Sequence, residues 1–345
     1  MHYDRSDYPI LEDYELRNIP VVSEFIHGCE AFLTDEAISY YPWEDLEGPV
    51  ALRVFHGTVH EFDQFDPRQS DLDGYFGKVV YFTSSHFDAT TNYATPSGPD
   101  RRRRIERDEE QLYYQILDDP EEFDLPESTT EDEAAQAAKS ISLDRNSGNC
   151  ERTIEAIVRV ENPFIVDGDA RGVHRPLFPE ASDEIHEAQE QVFAYHEVDA
   201  SEAEDEVHDE ADEAAWVKAN TYLDRLNMAL VRAFGVILPA DITAPDTIEG
   251  LRYDLTTKEL LDLFMESDDL MDCCSEEGLS YRMTIFSEML KTLGFDAIIL
   301  LNADLLFHSM KMDAGTSHVQ LFGGNPDQVL QLNRDVRAVE LDQAA

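Results

Sequence analysis

Short β-branched and aromatic runs punctuate an otherwise polar, acidic chain of 345 residues. Two of them, ALRVFHGT ending at Thr58 and GKVVYFTSS ending at Ser85, are bounded by Gly, Asp and Pro and predict strands. TIEAIVRVENPFIV, from Thr153 to Val166, alternates apolar and polar positions and predicts a strand ending at Asn162-Pro163. Near the C-terminus, EMLKTLGFDAIILL (Glu288 to Leu301) predicts a helix closed by Gly294 and then a buried strand, and Ser317 to Phe322 predicts one more short strand. Helical spacing predicts a helix from Val21 to Tyr41, behind Pro20 and before a turn at Pro42. The turn cluster after Tyr93 leads through four arginines at 101–104 into a charged helix. Residues 118–149 read as a helical or mobile insertion, 182–214 as an acidic helical block, and Trp216 to Phe234 as an amphipathic helix. These elements predict an α+β fold on a split, antiparallel sheet. Residues 1–49 form a leading helical segment, and 50–345 one domain with acidic insertions at about 100–150 and 170–285.

Composition sharpens that picture. Hydrophobic residues are 42% and aromatics 10%, enough for a packed core. The 74 acidic against 26 basic residues leave a net charge of -48, which opposes direct binding to nucleic acid or anionic lipid. Six of the 26 basic residues are Lys. An acidic, Lys-poor surface suits concentrated salt; a surface that docks on a basic partner, mimicking nucleic acid, fits the same numbers. Cys29, Cys150, Cys273 and Cys274 are too few and too scattered for a disulfide framework or a zinc site. The opening residues carry no signal peptide and no stretch is long enough to span a membrane, so the expectation is a cytoplasmic chain. His186, His196 and His208 lie among carboxylates, a solvated charged face rather than a metal site.

Three separated segments hold the candidate chemistry: VFHGT at 54–58, VVYFTSSHFDATTNYA at 79–94 and SHVQLFGGNPDQV at 317–329. With Phe62, Phe65 and Asp66 in EFDQFDP, RVENPFIVD at 159–167 and LGFDAIIL at 293–300, they resemble, in order, the motifs of the His-Tyr-Glu class of ADP-ribosyltransferases. The chain is most similar to the phage-associated and polyvalent-protein versions, and more distantly to the poly(ADP-ribose) polymerases. The resemblance implies NAD+ as substrate and a cleft between the strands carrying the three motifs. His56 would present a ring N–H to a ribose hydroxyl, and Gly57, without a side chain, would let the backbone approach the nicotinamide. Tyr81 and Tyr93 would stack on that ring, with Thr58, Phe82 and Thr83 lining the cleft. A satisfied strand-edge histidine and core tyrosines are the bland alternatives.

The third motif departs from the family. Counting back from Pro326-Asp327-Gln328-Val329 places Gln320 where a Glu usually stands; if Gly323-Gly324 is an insertion, His318 takes that neighbourhood. Both fall on one face of an alternating strand. Gln320 can bond a ribose hydroxyl but carries no charge, so the resemblance implies single additions to a macromolecular acceptor, a protein, in place of chain elongation. Two other functions remain open at this point: an acidic interaction scaffold without catalysis, and an NAD+ glycohydrolase toxin. Delivery in a virion or into a host cell accompanies the phage resemblance. The absence of GxxxxGK[ST], of a helix-opening GxGxxG and of HExxH removes the common nucleotide and zinc-protease readings.

Overall fold

A computed structural model describes residues 13–332, except 59–61, 63, 68–69, 71–74, 95–98, 124, 146–151, 170–174, 197–199, 202, 239–241, 243, 246–247, 269, 271–277, 309 and 324–326. The side chains of 101–104, the thiols at 150, 273 and 274, and residues 324–326 of the third motif lie outside the described residues.

The fold is α+β, with a mostly antiparallel sheet. Its strands are β1 (Ala31–Leu33), β2 (Val50–Thr58), β3 (Val80–Thr83), β4 (Arg152–Val160), β5 (Pro163–Asp167), β6 (Ala297–Leu301), β7 (His318–Leu321) and β8 (Val329–Gln331). They are ordered β5-β6-β7-β3-β2-β4-β8, with β1 also on β2. Pairing is parallel at β1–β2 and β5–β6 and antiparallel elsewhere. The helices are α1 (Asp13–Arg17), α2 (Pro20–Phe25), α3 (Ala37–Tyr40), α4 (His86–Asp88) running into a π-turn at Ala89–Tyr93, α5 (Pro99–Asp118), α6 (Glu131–Arg145), α7 (Ala181–Tyr195), α8 (Asp205–Ile237), α9 (Thr257–Glu266) and α10 (Gly278–Leu293).

Strand alternation sends side chains to two cores. On one face Leu52, Val54, Val80, Phe82, Ile299 and Val319 pack with Trp43. On the other, Ile298, Leu300 and Phe164 meet α8, α9 and α10 through Leu226, Phe264 and Phe286. Toward β8 that second face is closed by the N-terminal helices through Leu16 and Val22.

Three expectations are corrected. The helix expected from Val21 to Tyr41 is broken: α2 ends at Phe25, the chain turns at Gly28 with φ +80°, and β1 follows. Glu30 fixes this turn, its Oε2 accepting the amides of Glu47 and Gly48 while Oε1 accepts from the Tyr41 hydroxyl. Residues 1–49 therefore include a strand of the sheet. TIEAIVRVENPFIV forms two strands, because the Asp296 carboxylate takes the amides of Glu161 and Asn162 at 2.7 and 3.1 Å and Pro163 cannot donate. The chain then crosses to pair with β6. Within 170–285, α8 is one 33-residue helix whose second half supplies Tyr222, Leu226, Leu230 and Phe234 to the larger core. Helices α5 and α6 pack on each other around a small core of Leu112, Ile116, Ala134 and Ala138, and α5 also touches the π-turn at Ala89–Tyr93.

Candidate functional site

The three motifs occupy β2, β3 and β7, which are neighbours in the sheet. Their local sequences explain the placement: each strand is a short apolar run, β2 ending in His56-Gly57-Thr58, β3 ending in Thr83 and β7 beginning at His318. β7 pairs with β3 along its length, setting Gln320 opposite Tyr81 and His318 opposite Thr83. β2 and β3 pair only at Phe55 and Thr83, and past that point the ladder opens. His56 spans the opening, its Nδ1 lying 2.6 Å from the Tyr81 carbonyl oxygen. A carbonyl can only accept, so Nδ1 carries the proton.

The two sheet faces divide the candidates. His56 lies with the rings of Phe62, Phe65 and Phe82, edge-on at 5.1 to 5.7 Å. Tyr81, Gln320, Thr83 and His318 lie on the opposite face, by the alternation that puts Val80 and Phe82 with the His56 cluster. The Tyr81 hydroxyl accepts from the Phe76 amide at 2.7 Å and donates to the Gly77 carbonyl, so it braces the loop before β3. Gly57 is covered by the π-turn: a Cβ there would fall 2.0 Å from the Ala89 carbonyl oxygen and 2.6 Å from the Tyr93 Cβ. The missing side chain at 57 thus admits a helix. Thr58 and Thr83 are buried, and Tyr93 is half-buried.

On the Tyr81 face two buried polar side chains stand two residues apart. Gln320 is 1% exposed, and its Oε1 has no hydrogen-bond partner among the described residues. His318 is 5% exposed and holds Asp88 through Nε2 at 2.9 Å. Phe307 stacks on the imidazole with centroids 5.4 Å apart, and Tyr93 meets it edge-on at 6.3 Å. Asp88 sits in the turn capped by Ser85, whose Oγ accepts the Asp88 amide. Asn92 donates to the other Asp88 oxygen at 2.6 Å and to the Lys311 carbonyl at 2.8 Å.

Sequence reasoning missed Asp88, Phe307 and Arg282. Asp88 carried a signal, since aspartate and asparagine four residues apart share one face of a helical turn. Arg282, 3% exposed on α10, was hidden inside an apolar helix pattern. It bears on Tyr75, whose hydroxyl is pushed up by burial first and by Asp262 next, with the Arg282 charge acting against both.

Two hollows lie away from these residues. One of about 410 Å³ is lined by Glu106, Glu109, Glu110, Tyr113, Tyr114 and Ala135, and one of about 100 Å³ lies beside Arg175 and Arg225. Among the described residues, no group of three or more His, Cys, Asp or Glu side chains could hold a metal ion, and no helix is long and apolar enough to cross a membrane. No protein-family model, curated protein or solved structure matches the chain.

Proposed function

We propose that the chain transfers ADP-ribose from NAD+ to a macromolecular acceptor, a protein, adding single units and releasing nicotinamide. The observation that carries this reading is Gln320, a buried amide with an unpartnered oxygen on the strand next to Tyr81, at one of the two positions that motif order offers for the third catalytic residue. A buried acceptor without a donor is costly unless a ligand supplies one, and a ribose hydroxyl does so. The adjacency of β2, β3 and β7 and the opening of the ladder beyond Phe55 agree with a cleft between the motif strands. NAD+ carries its own leaving group, so the protein's task is to position the nicotinamide ribose and stabilise the cationic centre as the glycosidic bond opens. A neutral Gln320 accounts for single additions. In this reading His56 ties β3 to β2 where they part, and Tyr81 holds the loop that borders the cleft.

The covered backbone at Gly57 favours a second reading, an acidic scaffold that docks on a basic partner without turning over NAD+. Calorimetric titration with NAD+ in about 0.1 M and about 2 M KCl separates the two. Binding that is lost in Gln320→Leu supports the transferase. Absence of binding at both salts leaves the scaffold.

A further inference from the structure

The sequence leaves Gln320 and His318 as rivals for one position, whereas the fold gives them different surroundings. Gln320 has an unpartnered oxygen; His318 is already engaged by a carboxylate. Asp88 is fully buried, receives Asn92 on Oδ1 and faces His318 Nε2 with Oδ2. A carboxylate only accepts, so the proton of the neutral imidazole sits on Nε2 and its lone pair on Nδ1. Among the described residues Nδ1 has no hydrogen-bond partner. Phe307 stacks on the ring and Tyr93 meets it edge-on. This is the arrangement of a base oriented by a third group.

Resting on the transferase reading, we propose that the work of the absent glutamate is divided: Gln320 holds the ribose, and His318, positioned by Asp88 and Asn92, takes the proton of the acceptor nucleophile. As the bond from the ribose anomeric carbon to the nicotinamide nitrogen breaks, its electron pair leaves with neutral nicotinamide. The acceptor's oxygen or nitrogen bonds that carbon, its proton passes to His318 Nδ1, and the Asp88 carboxylate stabilises the imidazolium until the proton is lost to solvent. His318 is the catalytic residue, and Asp88 a positioning residue.

The test is Asp88→Asn in the full chain, read by nitrogen NMR of the His318 ring at about pH 8 without NAD+ and by labelling of acceptor protein from tagged NAD+. The donor from Asn92 keeps the new amide's oxygen on its own side, so the NH2 faces Nε2 and drives the proton to Nδ1. The expected result is an Nε2–H tautomer in the wild type, an Nδ1–H tautomer in the variant, and a fall in kcat of about a hundredfold or more with KM for NAD+ little changed. An Nδ1–H wild type, or a variant labelling within about threefold of wild type, overturns the proposal while leaving the transferase reading standing. A wild type with the Nε2–H tautomer that neither labels protein nor releases nicotinamide overturns the transferase reading and the base role with it. Should the variant not fold, the wild-type tautomer still decides.

Discussion

Gly57→Ala separates packing from ligand approach as the reason for a glycine at this position. The added methyl would lie 2.0 Å from the Ala89 carbonyl oxygen and 2.6 Å from the Tyr93 Cβ. The first of these is backbone, so it cannot swing aside, and it must retreat by about 1 Å to reach the 3.0 Å limit that real contacts respect. The turn that would move carries Asn92 and Tyr93 and follows directly on Asp88, three of the groups around His318. Overpacking of this kind costs about 1–3 kcal/mol, at the upper end where the obstacle is backbone. Gly235, inside α8, is the internal control: a Cβ there meets nothing within 4 Å. Gly235→Ala is expected to stabilise by up to about 1 kcal/mol through helix propensity alone. Urea unfolding followed by circular dichroism measures both. A Gly57→Ala protein as stable as wild type would refute the close approach of the π-turn to β2.

Gln320→Leu removes an amide oxygen that is buried without a partner, so the variant is expected to be more stable than wild type by about 1 kcal/mol without ligand, and to lose NAD+ protection against unfolding. A less stable variant contradicts the assignment of that oxygen as unpartnered. Tyr41→Phe breaks the hydroxyl's bond to Glu30. Hydrogen bonding from Tyr41 and from the Glu47 amide lowers the Glu30 carboxyl, so its contribution is present above the ordinary carboxylate range and fades as pH falls through the folded value. Burial, then Glu30, pushes the Tyr41 hydroxyl up to about 12, so its contribution is full below the ordinary tyrosine range and fades as pH rises through that value. The stability difference between Tyr41→Phe and wild type should therefore be widest between those limits in pH-resolved unfolding, and a flat difference refutes a contribution from the Tyr41–Glu30 bond. With a net charge of -48, screening should raise the thermal midpoint between about 0.1 and 2 M KCl; a flat or falling midpoint contradicts self-repulsion as the cost of the acidic surface.

The strands of the candidate site were legible because each is a short apolar run with turn residues on both sides, and because β7 keeps strict alternation through His318 and Gln320. The helix closed by Gly294 was legible for a related reason, a positive φ of +98° where a side chain would be strained. What was not legible depends on long-range contacts. β1 looks helical by spacing, and becomes a strand because Glu30 bonds the amides of Glu47 and Gly48 seventeen and eighteen residues on. The break at Glu161–Asn162 comes from Asp296, more than 130 residues later in the chain. β8 is short, and only its pairing with β4 reveals it. Within the site, motif order placed Tyr81, His318 and Gln320 on adjacent strands, but could not reveal that His56 looks into an aromatic cluster on the other face or that a turn covers Gly57. Those depend on which way a strand's alternation is set and on a helix arriving from elsewhere in the sequence.

Nicotinamide release from NAD+ by the purified chain, followed by chromatography in low and in molar salt beside Gln320→Leu and His318→Gln, tests the central claim most directly. A transferase that holds the ribose through Gln320 gives steady release in the wild type and about a hundredfold less in Gln320→Leu. Release that is absent from the wild type at both salts, or undiminished in both variants, contradicts it.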